Sequence, residues 1–365
     1  MSSTRLLFLT RYARSGASSR YRTFQYLPNL EKAGIYYEVS PLFDDEYLNS
    51  RYRSQSIWKH AVGVLLRRFK SLLNVRQFDL IVIEYEILAY FPALFERLLK
   101  RIGVPYVVDY DDALFHRYDQ HPNPLIRSLL GNKIAAVMRN AKLVIAGNNY
   151  LAEYALQAGA KQVEVIPTVI DLARYPLSMP PPRGKNDRFT IGWIGSPTSA
   201  VYLLQIAQAL TGICRDGKSR LRLIGSGPIE LPGVDLEVLP WSEESEVNQM
   251  HSFDVGIMPL RDDPWARGKC GLKLIQYMGC GLAVVASPVG VNSDIIEHGK
   301  NGFLASTQDE WQQAIEGLAY DTWLRKRMGA CGRRKVEQYY CLQVTASRLT
   351  NLFISAAGKN RPCVE

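Results

Sequence analysis

The strongest candidate for chemistry in this sequence is a glycine-flanked basic segment between Arg267 and Gly281. The predicted helix start in this segment carries the backbone N–H groups of Cys270, Gly271 and Leu272. Such groups have no partner within a helix, and they bind phosphate. Lys269, Lys273 and Gln276 follow an i, i+4, i+7 spacing, which predicts one shared helix face. That face would neutralise a diphosphate with two lysines and bind ribose hydroxyls with an amide.

Two further strand ends in the second half carry small polar residues and glycines. Ser196 and Thr198 follow one predicted strand, and Gly225 and Gly227 follow the next. A hydroxyl at such a junction would cap the following helix, and the free N–H groups there can also bind phosphate. Successive strand ends of this composition favour an anion-binding edge.

The first strand of the sequence leads into a loop of small residues, Thr10–Arg22, which contains Gly16 and four arginines. Small residues let the backbone approach a ligand, and crowded arginines favour an anion. The loop lacks the G-x-G-x-x-G spacing of dinucleotide-binding turns. We therefore predict a ligand loop without a dinucleotide cofactor; a flexible turn is the alternative.

A second candidate cluster in the first half runs from Asp109 to His116. Its Asp109-x-Asp111 spacing resembles the D-x-D of single-domain sugar transferases, and clustered carboxylates suit Mg²⁺ or Mn²⁺. We keep the metal site as the lesser alternative. His116 beside these carboxylates would orient a hydroxyl or move a proton, or else have a purely structural role.

Short apolar runs that alternate with amphipathic stretches must position these residues. This pattern predicts parallel sheets covered by helices on both faces, in two similar α/β domains. The predicted strands are Arg5–Thr10, Tyr36–Ser40, Leu80–Glu84, Tyr106–Asp109, Leu143–Ala146, Val163–Ile166, Thr190–Ile194, Arg220–Ile224, Leu236–Leu239, Val255–Met258, Ala283–Ala286 and Phe303–Ala305. Two of the predicted helices are Tyr202–Ile213 and Trp311–Leu318. Parallel sheets bind ligands at the carboxyl ends of their strands, where the candidate residues lie.

Composition bounds the class of protein. The 365 residues are 47% hydrophobic and 22% charged, which excludes a disordered chain or a coiled coil. The formal net charge of +9 favours an anionic partner. The six cysteines form no C-x-x-C pair, which predicts free thiols in a reducing cytoplasm and no zinc site. No apolar run reaches the length of a membrane span, and aromatic–basic interleaving typical of nucleic-acid binding is missing.

The basic stretch Arg51–Phe78 contains apolar residues at helical spacing and no acidic residue. One interpretation is a core-facing helix with a solvated basic face. The other is a helix at an anionic membrane surface, where apolar contact and charge attraction add. The sequence leaves both open.

Taken together, these motifs resemble those of GT-B glycosyltransferases of family 4 (group 1). The resemblance includes the N-terminal loop, I-G-S-G-P at Ile224–Pro228, P-V-G-V-N at Pro288–Asn292 and E-H-G-x-N-G-F-L-A at Glu297–Ala305. It implies two Rossmann-like domains facing across a cleft, residues 1–175 and 187–341, joined by a proline-rich linker at 176–186. It also implies that a terminal segment, 342–365, crosses back to the first domain.

The resemblance further implies a nucleoside-diphosphate sugar donor bound mostly by the C-terminal domain, retention of anomeric configuration, and no metal or other cofactor. Residues implied on the donor side are Gly16, Ser196, Thr198, Gly225, Gly227, Trp241, Lys269, Cys270, Gly271, Leu272, Lys273 and Gln276. Trp241 would border the base, and Lys269 and Lys273 would stabilise the leaving diphosphate. Residues implied on the acceptor side are Arg20, Arg22 and Asp112, with His116 orienting a hydroxyl.

The sequence departs from the family where an E-x7-E pair is usual, because Gly268 and Gln276 occupy the two positions. Lysines at the pyrophosphate make the segment a coherent variant. Two rivals remain open: a sugar-nucleotide epimerase of the same fold, and a non-catalytic protein that binds nucleotides or a membrane surface. The preferred interpretation is a cytoplasmic transferase, peripheral on the inner face of the membrane, that acts in cell-surface glycan or glycolipid synthesis.

Overall fold

The computed structural model describes residues 4–45, 58–177 and 188–358, with side chains from residue 63 onward in the second range. Most of the proline-rich linker, residues 51–57 of the basic stretch and the last seven residues lie outside the described part. The chain forms two compact units. The first unit comprises the residues up to Thr168, Gly268–Cys270 and the residues from Thr345 onward, and the second comprises Val169–Arg267 and Gly271–Val344.

The first unit is built on a six-stranded parallel sheet in the order β2-β1-β3-β4-β5-β6. Its strands are β1 (Arg5–Leu9), β2 (Tyr36–Val39), β3 (Leu80–Glu84), β4 (Tyr106–Tyr110), β5 (Leu143–Ala146) and β6 (Val163–Val165). Every residue of the three central strands β3, β4 and β5 is buried. Strands covered on both faces need such continuous apolar runs, which is why these segments do not alternate.

The second unit contains a six-stranded parallel sheet in the order β12-β11-β10-β7-β8-β9. Its strands are β7 (Phe189–Ile194), β8 (Ser219–Ile224), β9 (Leu236–Leu239), β10 (Val255–Met258), β11 (Ala283–Ala286) and β12 (Gly302–Leu304). Trp193 and Trp311 are the largest side chains in its core, and each is 1% exposed. Read from β9, this is the 3-2-1-4-5-6 order of the Rossmann fold.

Helices connect the strands within each unit. They are α1 (Ala17–Arg22), α2 (Leu27–Lys32), α3 (Trp58–Leu73), α4 (Leu94–Arg101), α5 (His116–Asp119), α6 (Pro124–Leu130), α7 (Lys133–Asn140), α8 (Asn149–Gln157), α9 (Pro197–Ala200), α10 (Ala207–Cys214), α11 (Glu246–Met250), α12 (Pro264–Arg267), α13 (Leu272–Gly279), α14 (Asn292–Ile295), α15 (Gln308–Tyr320), α16 (Thr322–Tyr339) and α17 (Leu342–Ala356). Short 3₁₀ turns occupy Phe24–Tyr26, Val75–Gln77, Leu172–Arg174 and Val201–Ile206.

The predicted α/β class and the predicted strands are confirmed, and each strand agrees within one residue at both ends. The helix predicted at Tyr202–Ile213 divides into a 3₁₀ turn and α10. The helix predicted at Trp311–Leu318 is part of α15, whose start is fixed by a capping box between Thr307 and Glu310. No helix in the described ranges is long and apolar enough to cross a bilayer.

Candidate functional site

Two glycines shape the carboxyl end of β7 and β8 in the second unit. Gly195 donates its N–H to the carbonyl of Ile224, the last residue of β8. Gly225 has a φ of +74°, and a Cβ there would lie 2.7 Å from the Gly195 carbonyl oxygen. Only glycine fits this conformation and this close approach. The two turns therefore lie against each other beside the β7–β10 switch point, where open α/β sheets bind ligands.

Lys273, in the first turn of α13, lies over the end of β7. A Cβ on Gly195 would come within 2.8 Å of Lys273 Cε. The Lys273 ammonium is 5.1 Å from the ring centroid of the buried Trp193. A cation over an aromatic face is stabilised electrostatically. Gly195 thus makes room for the lysine, and Trp193 holds its charge at the carboxyl edge of the second sheet.

Helix α13 starts at Leu272, later than the sequence predicts. Gly271 precedes the helix with a φ of +69°, in the left-handed region. In the described part of the chain, the N–H groups of Cys270, Gly271 and Leu272 donate to no protein acceptor. Gly271 and Leu272 belong to the second unit, and two neighbouring N–H groups of this kind suit an anion.

The predicted common face of Lys269, Lys273 and Gln276 is wrong. The helix begins only at Leu272, so Lys269 precedes it and belongs to the first unit. Gln276 is 4% exposed, and its amide donates to the Tyr175 hydroxyl at 3.1 Å. The amide is therefore committed to the interior of the second unit and does not face a ribose.

Gly268, which the sequence resemblance places at the first position of E-x7-E, has no room for a side chain. A Cβ there would lie 2.4 Å from the Ala113 Cβ and 2.7 Å from its backbone nitrogen. The Asn148 amide donates to the carbonyls of Gly268 and Lys269, both at 3.0 Å. Cys270 is buried beside Gly147 in the same unit, and burial raises the pKa of its thiol well above the usual range.

The remaining donor-side predictions fall on the loops after β7, β8 and β9. The hydroxyls of Ser196 and Thr198 bond to each other at 2.9 Å, and neither caps the four-residue α9. Gly227, with a φ of +63°, packs against Pro197. Trp241 donates its indole N–H to Glu246 at 2.8 Å.

That tryptophan also borders the glycine turns. The Trp241 Cβ lies 2.9 Å from a Cβ built on Gly225. The buried Glu246 accepts both from Trp241 and from Arg174, so the indole orientation is fixed by an ion pair behind it. The Lys273, Gly195, Gly225 and Trp241 positions thus form one local group at the carboxyl edge of the second sheet.

Arg22, predicted on the acceptor side, is instead part of a buried ion pair. Its guanidinium contacts both Asp109 oxygens, at 2.6 and 3.0 Å, and donates to the Ile166 carbonyl at 2.8 Å. The Arg22 side chain is 3% exposed and that of Asp109 is 10% exposed. Arg22 is therefore turned inward, and Asp109, the first carboxylate of the D-x-D spacing, is bound to it rather than offered to a cation.

Arg20 and Gly16 stabilise the loop after β1. Arg20 is 3% exposed and donates to the carbonyls of Arg14 and Ser15. A Cβ on Gly16 would overlap the Tyr12 side chain, at 2.3 Å from its Cβ. The small-residue loop is thus packed by its own side chains, and its role as a ligand loop stays a prediction.

His116 and Asp112 lie after β4 in the first unit. Both ring nitrogens of His116 have partners: Nδ1 lies 3.0 Å from Asp119, and Nε2 lies 2.8 Å from the Tyr150 hydroxyl. Asp112 is partly exposed, and its carboxylate lies 3.8 Å from the Lys269 ammonium. His116 is thus held in a structural hydrogen-bond network, and Asp112 and Lys269 form a partly exposed ion pair.

A buried charge network at the end of β3 was not predicted from the sequence. Glu86 pairs with Arg11 and Lys133 and accepts from the Tyr118 hydroxyl. Burial raises the pKa of Glu84 to about 8. The signal in the sequence is that Glu84 and Glu86 lie within the apolar run Leu80–Leu88. Such acids indicate buried partners, because burying an unpaired charge costs free energy. Among the described residues, no group of three His, Cys, Asp or Glu side chains could hold a metal ion.

The comparisons with known protein families match the two halves of the chain separately. Residues 188–321 match the family model "Glycosyl transferases group 1", and residues 31–168 match "Glycosyl transferase 4-like domain". The two matches span well over half of the chain. The chain belongs to the group 1 glycosyltransferases, and it has the GT-B fold.

The particular relatives are distant. N-acetyl-alpha-D-glucosaminyl L-malate synthase of Bacillus anthracis is 23% identical over 159 residues, which are 40% of this chain and 40% of that protein. The match therefore spans less than half of that relative. Sucrose-phosphate synthase from Thermosynechococcus elongatus is similar with a TM-score of 0.71 and 16% identity, over 97% of this chain and 99% of that one. Anabaena HepE, solved with UDP and glucose, has a TM-score of 0.66 and 18% identity, over 97% and 100%.

Proposed function

We propose that this chain transfers a glycosyl group from a nucleoside-diphosphate sugar to a hydroxyl acceptor, with the second unit binding the donor. One observation carries the proposal: the Lys273 ammonium lies in the same turn of the chain as the Gly271 and Leu272 N–H groups, which have no acceptor among the residues that the structure describes. Family membership supports it, and so does the similarity to HepE, which was solved with UDP-glucose as well as with UDP.

The chemistry that these groups supply is stabilisation of the leaving group. Breaking the bond between the sugar C1 and the phosphate oxygen develops negative charge on the departing diphosphate. The N–H groups of Gly271 and Leu272 and the Lys273 ammonium would meet that charge without reorganising. We propose that they act without a divalent cation, and that the configuration at C1 is retained, as the resemblance to family 4 implies.

In this proposal, Lys273 rather than Lys269 stabilises the leaving diphosphate. Lys269 precedes the helix and lies near Asp112, so we place this pair on the acceptor side. His116 would act there only by holding Tyr150 and the α5 turn in place. The acceptor we propose is a glycan or lipid-linked hydroxyl in cell-surface glycan synthesis, reached from the inner face of an anionic membrane.

Thermal unfolding with a panel of UDP-, GDP- and ADP-sugars tests the donor site. A true donor raises the melting temperature by an amount that grows with the logarithm of its concentration above Kd. Mass spectrometry of the stabilising sugar with candidate acceptors then tests transfer, with and without EDTA. Stabilisation by none of the sugars would contradict the donor site, and loss of transfer in EDTA would contradict the metal-free mechanism.

The epimerase alternative makes a different prediction in the same experiment. An epimerase would convert the stabilising nucleotide sugar without any acceptor. A transferase should release free nucleoside diphosphate only slowly until an acceptor is added. Nuclear magnetic resonance of the sugar after incubation without acceptor distinguishes the two.

A further inference from the structure

Helix α3 has a buried side and, separately, an exposed apolar side. Val64 and Arg68 are buried and face the first unit. A separate set of large apolar side chains on the same helix is exposed: Leu65 by 44%, Leu66 by 65%, Phe69 by 43% and Leu73 by 83%. At about 100° per residue, these four fall within about 100° of the helix circumference. The core-facing interpretation of the basic stretch is therefore wrong for this stripe.

Helix α4 and the segment before it extend the exposed stripe. The Phe69 ring packs on Phe95 at 5.5 Å between centroids, and Phe91 packs on Phe95 at 5.6 Å. Three more exposed apolar side chains lie on this segment: Phe91 by 39%, Leu94 by 51% and Leu98 by 49%. A contiguous exposed apolar patch of this kind marks an interaction surface. We call these seven exposed side chains the α3–α4 face.

The exposed charges around the α3–α4 face have one sign. Among the described side chains of the two helices, the exposed charged ones are Arg67, Lys70, Arg97, Lys100 and Arg101. The single acid, Glu96, is 1% exposed and accepts the Ile87 N–H at 2.9 Å. Arg67 also pairs with Asp44 at 2.7 Å. A positive rim around an apolar stripe complements an anionic surface.

We infer that the α3–α4 face docks on an anionic lipid bilayer, with its leucines and phenylalanines at the level of the acyl boundary and its basic side chains at the headgroups. Interfacial helices combine these two features, and their binding energies add. This inference deepens the membrane partner of the proposed function and rests on it. Lipid binding is measured without sugar transfer, so each can fail without the other.

Co-sedimentation of the full chain with vesicles tests the face. One vesicle contains phosphatidylcholine alone, and the other contains phosphatidylcholine with phosphatidylglycerol. The wild type should bind the anionic vesicle and bind the neutral one much more weakly. The double change Leu66→Gln/Leu73→Gln should lower the partition coefficient by at least about tenfold, because two exposed apolar side chains leave the acyl boundary.

A charge variant separates the two contributions. Lys70→Gln/Arg101→Gln should lower binding to the anionic vesicle by about fivefold per charge and reduce its dependence on salt. The control is Leu156→Gln on α8, which removes a leucine that is 60% exposed outside the face. It should bind like the wild type, and all variants should keep the wild-type melting temperature because the replaced side chains are exposed.

Three results would overturn the inference. The wild type could fail to sediment with anionic vesicles at low salt. Binding could persist unchanged in Leu66→Gln/Leu73→Gln. Light scattering could instead show a wild-type dimer that the same double change dissociates, which would make a second copy of the chain the occupant of the face.

Discussion

The two sheets have different chemistry at their switch points. In the first sheet, β1 and β3 meet there, and the loops after them bring Arg11 to Glu84 and Glu86. In the second sheet, β7 and β10 meet there, and the loop after β7 contributes Gly195 against Lys273. The carboxyl edge of the first sheet therefore carries buried acids beside an arginine, whereas the corresponding edge of the second sheet carries a glycine turn beside a lysine.

The two edges differ in the partners of their hydrogen-bonding groups. The first edge pairs Glu86 and Asp109 with its own cations, so these charges serve mainly the fold. Such buried pairs need every partner, because removing one leaves an uncompensated charge. Within the described ranges, the second edge leaves the N–H groups of Gly271 and Leu272 without protein acceptors, and it holds an ammonium over an aromatic ring. The two N–H groups are available to a ligand.

Removing a cation from the first edge should have the largest effect. Arg22→Met should lower the free energy of unfolding by about 3–5 kcal/mol, because it leaves the Asp109 carboxylate buried without its partner. Chemical denaturation measures the loss. The double change Arg22→Met/Asp109→Leu should recover part of it.

The exposed pair between Arg348 and Glu164 in the same unit is the matched control. Arg348→Met should cost less than about 1 kcal/mol, because exposed pairs contribute little. If Arg22→Met were as stable as the wild type and only raised the KM for acceptor, the predicted acceptor role of Arg22 would be correct and the contrast between the two edges would fail.

Removing the cation from the second edge should affect turnover rather than folding. Lys273→Ala should lower kcat by about 10²–10³, which corresponds to about 2.7–4 kcal/mol of lost leaving-group stabilisation. Steady-state kinetics with the stabilising donor measures it. Lys218→Ala removes a lysine that is 80% exposed in the same unit and should leave kcat unchanged. Wild-type kcat in Lys273→Ala would place the diphosphate elsewhere.

A smaller change at Gly195 tests whether the ammonium must lie where it does. In Gly195→Ala, the new methyl group meets Trp193 and Lys273 Cε below 3 Å, so the lysine must move. Overpacking of this kind costs about 1–3 kcal/mol. We expect a comparable loss in nucleotide affinity, measured by titration calorimetry.

Gly317→Ala is the control for a glycine in the same unit. It lies inside α15 with nothing within 4 Å of a built Cβ, so the change should stabilise the fold by up to about 1 kcal/mol and leave affinity unchanged. Equal nucleotide affinity in Gly195→Ala and the wild type would show that the Lys273 position over β7 is not required.

The strands could be predicted from the sequence because buried parallel strands are continuous apolar runs, as Leu80–Glu84 and Ala283–Ala286 are. The helix start at Leu272 was misplaced by three residues, and that error put Lys269 on a helix face. A left-handed Gly271 fixes the true start, and its φ is a property of the packed loop that residue spacing does not reveal.

The contacts of individual polar residues depend on partners far away in sequence. Arg22 meets Asp109, which is 87 positions later, and Gln276 meets Tyr175, 101 positions earlier. No local pattern distinguishes an arginine bound for such an ion pair from one offered to a ligand. Lys273 was singled out from the sequence, and its role stays a prediction; Trp193 beneath it was not singled out, because an aromatic residue in a strand is usually ordinary core.

The last effect we predict, and a small one over a single pH unit, is a pH dependence that only the first edge should show. Glu84 is buried, and it accepts from Arg11 N–H at 3.0 Å and from the Ser19 hydroxyl at 2.5 Å. Among the described residues, nothing donates to its other oxygen. Burial, with Asp111 and Asp109 nearby, raises its pKa from about 4.5 to about 8.

Between those two pKa values the unfolded chain has released the Glu84 proton and the folded chain still holds it. Raising the pH therefore favours the unfolded state, and this residue should lower the free energy of unfolding by about 1.4 kcal/mol per pH unit in that window. Glu84→Gln keeps an oxygen for Arg11 and Ser19 but cannot ionise, so denaturation at several pH values should show a shallower decline. Glu38→Gln controls for the loss of an exposed acid. A slope in Glu84→Gln equal to that of the wild type would mean that Glu84 is ionised in the fold, and that the first edge pairs this acid as fully as it pairs Asp109.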